Sequence, residues 1–211
     1  DDTPEIINRF ILSSSKGLAE PTRNKVPTVQ FIHESVRDFL LKENGLALIQ
    51  DNIDCTSAGP AHDHLKRCCQ NYINIAAIGQ SEDSSSEDMA RFRFLEYSIR
   101  HIFKHAELAA SHMISQEVFL AEFALGAWII LHDIVEKHRM RRYGPQTSLL
   151  YVLVDQSTLH LCRTEICRSR RSINTESSGR YTFPIIVAAA TGNQQILELL
   201  IQSVDDRSLA L

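Results

Sequence analysis

The stretch GRYTFPIIVAAATGNQQILELLI, residues 179–201, has the pattern of two short helices joined by a tight turn. The small side chains of Ala188 and Ala189 allow the first helix to pack closely against a neighbour, and Gly192 permits the turn that follows. Leu199 and Leu200 supply a buried face for the second helix. The stretch therefore predicts a helix–turn–helix unit that stacks on similar units.

This unit resembles an ankyrin repeat, in which a Thr-Pro-Leu-His turn precedes paired alanines, a glycine and a Leu-Leu pair. Phe183 and Ile186 replace the usual Thr and His of that turn, so the repeat is degenerate. A fainter copy begins at Ser148-Leu149-Leu150, about one ankyrin period upstream. Because so few repeats cannot bury their own faces, we expect further repeats after Leu211 in a longer protein.

The beginning of the chain has the outline of the end of a winged-helix fold. Residues 4–12 have helical spacing, and two extended pieces, 17–20 and 28–33, flank a turn-rich segment. The second piece predicts a half-buried strand with Val29 and Phe31 facing inward.

A second helix is expected directly after this hairpin. Ser35 and Asp38 have the spacing of a capping box, in which Ser35 accepts a hydrogen bond from the first turn and Asp38 reaches back. Val36, Phe39 and Leu40 then supply its apolar positions.

The middle of the chain predicts helices with apolar stripes, separated by an acidic loop. Residues 80–88 contain four acids, four serines and no base, which predicts a disordered loop near 80–90 whose serines could accept phosphate. The stripes are Leu65, Cys68, Cys69, Tyr72, Ile73 and Ala76; Phe92, Leu95, Ile99, Ile102, Ala106 and Ala109; and Phe119, Leu120, Phe123, Trp128, Leu131, Ile134 and Val135, broken near Gly126.

Composition excludes several classes of protein. The formal net charge of −4 opposes nucleic-acid binding, which depends on clustered basic residues. The basic clusters at 139–142 and 168–171 fall where helices are expected to end, so they are interpreted as complements to helix dipoles. The five cysteines, an odd number, favour reduced thiols in a cytoplasmic protein. The longest apolar run, 123–131, is about half as long as a membrane span.

Five strings in sequence resemble fungal NACHT–ankyrin proteins of the STAND class of signalling ATPases. They are VQFIHESVRDFLL (29–41), RFILSSSKGLAE (9–20), LKRCCQNY (65–72), FLEY (94–97) and SLLYVL (148–153). The resemblance covers nearly the whole chain and follows the order of the family. It implies residues 1–44 as the C-terminal part of a winged helix, 45–146 as a helical linker, and 147–211 as the start of ankyrin-like repeats.

The resemblance also implies one cofactor-binding residue, His33. A histidine in this motif of the family contacts the β-phosphate of bound ADP and holds the protein closed. His33 stands at a strand end before a helix N-terminus, where backbone donors and the helix dipole favour anions. Since a lone histidine beside a helix cap is commonly structural, the ADP role is expected in the intact parent protein alone.

The chain lacks the motifs of a complete enzyme. It contains no Gly-x-x-x-x-Gly-Lys-Ser/Thr loop to hold phosphates and no Gly-x-Ser-x-Gly nucleophile motif. Two sets of side chains have the chemistry of zinc ligands: His62, His64, Cys68 and Cys69, and the pair His101 and His105. Structural roles for these side chains are the favoured interpretation, and no metal site is assigned. Cys162 and Cys167 are expected to be buried thiols.

The sequence thus predicts a mostly α chain with one β-hairpin, no catalytic residues and no cofactor of its own; ADP or ATP would bind the parent. Its expected partners are an upstream NACHT ATPase domain and downstream ankyrin repeats in the same protein, with no nucleic acid and no membrane. Three other hypotheses remain. They are a stand-alone interaction module binding through its repeats or residues 123–131, a winged-helix DNA binder, which has less support, and a decayed gene fragment whose product does not fold.

Overall fold

A computed structural model divides the chain into two compact units, Asp1–Ser57 (unit 1) and Ala58–Leu211 (unit 2). The residues that it describes are 4–24, 28–42, 45, 58–78 and 94–205. These residues are mostly helical with one two-stranded antiparallel sheet, which confirms the predicted fold class. The predicted acidic loop near 80–90 and Phe92 lie outside the described residues.

Unit 1 is a helix, a β-hairpin and a second helix. Its elements are α1 (Pro4–Ser14), β1 (Ala19–Pro21), β2 (Val29–Phe31) and α2 (Glu34–Leu41). Gly17 adopts a left-handed φ of 81° and its N–H donates to the Leu12 carbonyl at 2.8 Å, which ends α1 and turns the chain into β1. Glu20 pairs with Gln30 across the antiparallel strands.

Two local predictions for unit 1 are wrong. Phe31 is half-buried, but Val29 is 61% exposed, because the alternation along a strand identifies a shared face without revealing how far that face is covered. Ser35 does not cap α2. The helix begins at Glu34, His33 is the N-cap, and Asp38 pairs forward with Lys42 at 2.8 Å.

Unit 2 begins with a helical bundle. Its elements are α3 (Gly59–Ile78), α4 (Leu95–Ser111), α5 (Glu117–Glu122) and α6 (Leu125–Val135), followed by a 3₁₀ turn at Arg139–Arg141. α3 packs along α4, and α4 also packs on α6. The helical pattern breaks at Phe123 and Ala124 rather than at Gly126, which lies inside α6.

Two helix pairs complete unit 2. The first is α7 (Leu149–Asp155) with α8 (Leu159–Arg168), the second is α9 (Pro184–Thr191) with α10 (Gln194–Asp205), and a 3₁₀ turn at Arg170–Asn174 lies between them. α9 packs on α7 and α10 packs on α8, so the pairs stack side by side. The predicted turn glycine, Gly192, has a left-handed φ of 70° and ends α9.

The main apolar core of the described residues lies in unit 2. The stripe predicted for α4 is confirmed, since Leu95, Ile99, Ile102, Ala106 and Ala109 are all buried. Several predicted core positions are wrong because an apolar residue at helical spacing can still fall on the solvent-facing edge of a stripe. These exposed residues are Leu65, Cys68, Ile134 and Ala189.

Candidate functional site

His33 lies on unit 1 at the junction between β2 and α2. Its backbone is extended (φ −153°, ψ 149°), and its ring Nδ1 accepts the Ser35 N–H at 3.1 Å and lies 2.8 Å from the Ser35 hydroxyl. An Nδ1 that accepts a backbone N–H carries no proton, so the neutral ring has its proton on Nε2. The ring is exposed, and the cap therefore orients a donor outward from a helix N-terminus.

The basic residues of α2 and of its C-cap, Arg37 and Lys42, are paired with acids. Arg37 forms an ion pair with Glu34, and Lys42 pairs with Asp38 at 2.8 Å. Both pairs are i,i+3 or i,i+4 contacts on the surface of the helix. α2 therefore does not present an uncompensated basic face of the kind that contacts phosphates along DNA.

The stacked helix pairs of unit 2 form a regular array. α9 begins 35 residues after α7, and α10 begins 35 residues after α8. The turns before the pairs are also joined, because the Ser148 N–H donates to the Ser177 hydroxyl at 3.2 Å and the Tyr181 N–H donates to the Tyr151 hydroxyl at 2.9 Å. The repeat seen in the sequence thus corresponds to a repeat in three dimensions.

Glu107 connects the helical bundle to the first pair. Its carboxylate accepts the backbone N–H groups of His160 at 2.9 Å and Leu161 at 3.1 Å, in the first turn of α8. Thr158, the N-cap residue of α8, gives its hydroxyl to the Leu153 carbonyl instead. A side chain from α4 therefore caps α8, and no local sequence pattern predicts a cap from so distant a residue.

A histidine cluster joins α3 to α4. The Nδ1 atoms of His62 and His105 lie 3.0 Å apart, and the Tyr97 hydroxyl is 2.8 Å from His105 Nε2. His105 is buried, and burial together with the neighbouring His62, His101 and Lys104 lowers its pKa. The cluster combines one histidine from each of the two sets considered for zinc, which the sequence did not predict.

The geometry does not assemble the first zinc set. Cys69 is buried whereas the adjacent Cys68 is exposed, so the two thiols lie on different faces of α3. In the described part of the chain, no group of three or more His, Cys, Asp or Glu side chains could hold a metal ion. Cys162 is buried as expected, and burial raises its pKa; Cys167 is exposed, contrary to the prediction.

The chain matches no protein-family profile, no curated protein and no solved structure. Among the described helices, none is long and apolar enough to cross a bilayer.

Proposed function

We propose that this chain is a non-catalytic regulatory segment of a NACHT–ankyrin signalling protein, coupling a nucleotide-switched ATPase core to a protein-binding repeat array. The observation that carries the proposal is the stack of two helix pairs at a constant offset of 35 residues, close to the 33 of ankyrin repeats. Repeat arrays of this kind bind proteins over extended surfaces. The linker contacts the array through Glu107, a residue of α4 that caps α8, the second helix of the array.

His33 supports the nucleotide side of the proposal. Its Nε2–H donor lies outside the cap of α2, where the helix dipole also favours a phosphate oxygen. In the parent protein this donor would contact the β-phosphate of ADP and stabilise the closed state. Loss of that contact on exchange for ATP would shift the population toward the open state.

The surface of unit 1 supports a partner in the same protein. Ile6, Ile7 and Phe10 on α1 are exposed, and Phe10 is 70% exposed. Adjacent apolar residues on one short helix are typical of a surface that another domain covers. The upstream NACHT ATPase domain is the proposed partner, in a cytoplasmic protein that uses neither nucleic acid nor a membrane.

The first test is the coding sequence on both sides of residues 1–211. We expect an in-frame Gly-x-x-x-x-Gly-Lys-Ser/Thr loop upstream and further repeats of 33 to 35 residues downstream. A coding sequence without an upstream P-loop would refute the coupling role.

The second test measures release of fluorescent ADP from the intact parent. His33→Ala removes both the Nε2 donor and the α2 cap, so ADP should dissociate several-fold faster; Ser35→Ala, which keeps the imidazole, should have a smaller effect. His138→Ala is the matched control, since His138 is exposed and lies in unit 2. Equal dissociation rates in H33A and H138A would contradict the phosphate contact.

A further inference from the structure

Four arginines line one cleft in unit 2, of about 320 Å³. Arg100 comes from α4, Arg141 and Arg142 from the 3₁₀ turn after α6 and its C-cap, and Arg180 from the loop before α9. These residues are up to 80 positions apart in the sequence, and the basic cluster at 139–142 has the pattern of solvated charges at a helix end. The fold instead collects them around a single opening.

The acids in this cleft do not neutralise the arginines. Glu136 and Asp155 are its two carboxylates, against four guanidinium groups. Arg100 also pairs with Glu96, which lies outside the lining, at 2.9 Å, so the excess is one positive charge when His132 is neutral. Both carboxylates already accept hydrogen bonds, Glu136 from the His138 N–H at 2.8 Å and Asp155 from the Tyr143 hydroxyl at 2.6 Å. The positive excess is therefore a property of the cleft itself.

The pKa of Glu136 responds to this positive field. The hydrogen bond from the His138 backbone lowers that pKa, and the charges of Arg100 and Arg141 lower it further although burial opposes them. The two arginines thus act on the same buried carboxylate from different elements.

Three of the arginines do not use their N–H donors in ion pairs with carboxylates of the described residues. Arg142 gives Nε and Nη2 to the Glu136 main-chain carbonyl at 3.1 and 3.0 Å, a neutral acceptor that fixes its side chain without cancelling its charge. Arg141 and Arg180 form no ion pair with any carboxylate in the described ranges. Arg180 is held instead over the Tyr181 ring, 5.2 Å from its centroid.

Buried aromatic and aliphatic side chains also line the cleft. The Tyr151 hydroxyl accepts the Tyr181 N–H at 2.9 Å and keeps its own proton for donation. Ile99 and the ring of Tyr143, both buried, form apolar parts of the lining.

We propose that this cleft binds a phosphate monoester. Such a group has three acceptor oxygens and a charge of roughly −1.5 to −2, which suit the positive excess of the cleft and guanidinium groups that reach it from several elements. A carboxylate has a single charge and two oxygens, so it would leave part of this donor set unused. The buried Ile99 and Tyr143 side chains of the lining would contact the organic part of the ester.

The ester could be a small molecule or a phosphorylated side chain, and calorimetric titration distinguishes these sources. The probes are phenyl phosphate, benzoate as its carboxylate counterpart, and a peptide that copies residues 80–88 with and without phosphate on Ser85. We expect phenyl phosphate to bind at least about tenfold more tightly than benzoate. Tighter binding of the phosphopeptide than of phenyl phosphate would identify a phosphorylated protein segment as the source, and the reverse would identify a free ester.

Matched variants assign the binding to the cleft. The double variant R141Q/R180Q should lose about tenfold or more in affinity for phenyl phosphate. R139Q/R171Q removes the same charge at exposed positions outside the cleft and should bind as the wild type. Asp155→Asn removes a negative charge while keeping an acceptor for Tyr143, and should bind phenyl phosphate several-fold more tightly.

Three results would overturn the proposal. The first is that neither phenyl phosphate nor the phosphopeptide binds at millimolar concentration. The second is that the two peptides bind with equal affinity and that phenyl phosphate binds no more tightly than benzoate. The third is that the two double variants lose the same affinity for phenyl phosphate. All four substituted arginines are exposed, so the variants should remain folded, and circular dichroism spectra verify this. The proposal is independent of the coupling role, because a site for a phosphate ester would also suit a stand-alone module.

Discussion

A buried lysine in the helical bundle makes a strong prediction at the scale of single residues. Lys66 Nζ lies 2.6 Å from Asp63 Oδ1 and 2.8 Å from Gln116 Oε1, and both charged side chains are only 7% exposed. Burial would raise the pKa of Asp63, but hydrogen bonds from Lys66 and Gln116 and the Lys66 charge lower it below its usual range. The pair therefore depends on both partners being present.

Lys66→Met should lower the free energy of unfolding by about 3 kcal/mol, because it leaves a buried carboxylate with only the exposed Arg67 as a cationic partner. The double variant K66M/D63L should recover most of the loss, since it removes both charges. Urea denaturation gives these values. Glu96→Gln, which breaks the exposed pair with Arg100, is the control and should lower the free energy of unfolding by less than about 1 kcal/mol. If K66M lowers it by no more than this control, the buried pair between Lys66 and Asp63 does not stabilise the fold.

The buried His105 predicts a loss of stability in mild acid. Burial and the neighbouring His62, His101 and Lys104 lower its pKa, so on acidification the unfolded chain gains its proton before the folded protein does. The free energy of unfolding should therefore fall as the pH decreases through about 6.5, the ordinary value, toward the lowered folded pKa. Urea denaturation at pH 7.5, 6.5 and 5.5 measures this slope.

His105→Gln should reduce that pH dependence and leave the part due to His101, whose pKa is also lowered by burial, Lys104 and Arg100. The variant should cost some stability at neutral pH through the lost contact with Tyr97. The control variant H64Q, at an exposed position of α3, retains His105 and should retain the slope. If both variants keep the slope, His105 is not its source.

The burial of individual side chains is the feature that the sequence predicted least well. Its apolar stripe for α3 included Leu65 and Cys68, which are exposed, and passed over Lys66, which is buried. Periodicity assigns lysine to the surface because an unpaired buried charge is unfavourable. Its charge partner Asp63 is three residues away, but an i,i+3 pair is equally common on an exposed helix face. Gln116, which bonds to both buried charges, is 50 residues away from Lys66 in sequence, so no local pattern could reveal the buried network.

At the scale of elements, Glu107 predicts a dependence of one helix on another. Glu107→Ala removes the acceptor for two backbone N–H groups at the start of α8 and should lower stability by about 1 to 2 kcal/mol. Glu107→Gln keeps one acceptor oxygen and should cost less. Glu122→Ala, at the exposed end of α5, provides the control.

Hydrogen exchange localises the effect. Amides in the first turn of α8 should exchange faster in E107A than in the wild type, while amides of α3 should be unchanged. Faster exchange throughout unit 2 would instead mean that Glu107 supports the whole bundle rather than the cap of α8.

Elements were predicted well where a local signal determines them. Gly192, the predicted turn glycine, ends α9 because glycine adopts a left-handed conformation without steric cost. The start of α2 was predicted two residues late because His33, and not Ser35, is the cap. A histidine ring can accept the same N–H, and cap patterns restricted to Ser, Thr, Asp and Asn overlook it.

At the scale of the whole molecule, the buried apolar residues that the structure describes are distributed unequally between the two units. Every residue of the main described core lies between Cys69 and Leu200, in unit 2, whereas Leu40 is the only described hydrophobic residue of unit 1 that is buried. The long apolar stripes in the sequence predicted the large core. The exposure of α1 could not be predicted, because an amphipathic helix has the same pattern whether or not another domain covers it.

This imbalance predicts that the two units differ in stability. Leu150→Ala, at a fully buried position of α7, should lower the free energy of unfolding of unit 2 by about 2 to 5 kcal/mol. Phe10→Ala, at a position 70% exposed, should change the free energy of unfolding by less than about 0.5 kcal/mol.

In wild-type protein, amides of α1 and α2 should exchange much faster than those of α4 and α7, because few buried apolar contacts oppose opening of unit 1. Exchange in α1 as slow as in α4 would contradict this distribution, and with it the argument that α1 needs a partner. If the expected pattern is found, the same measurement on the proposed full-length parent tests the proposed partner, since an ATPase domain that covers α1 should protect it while leaving α4 unchanged.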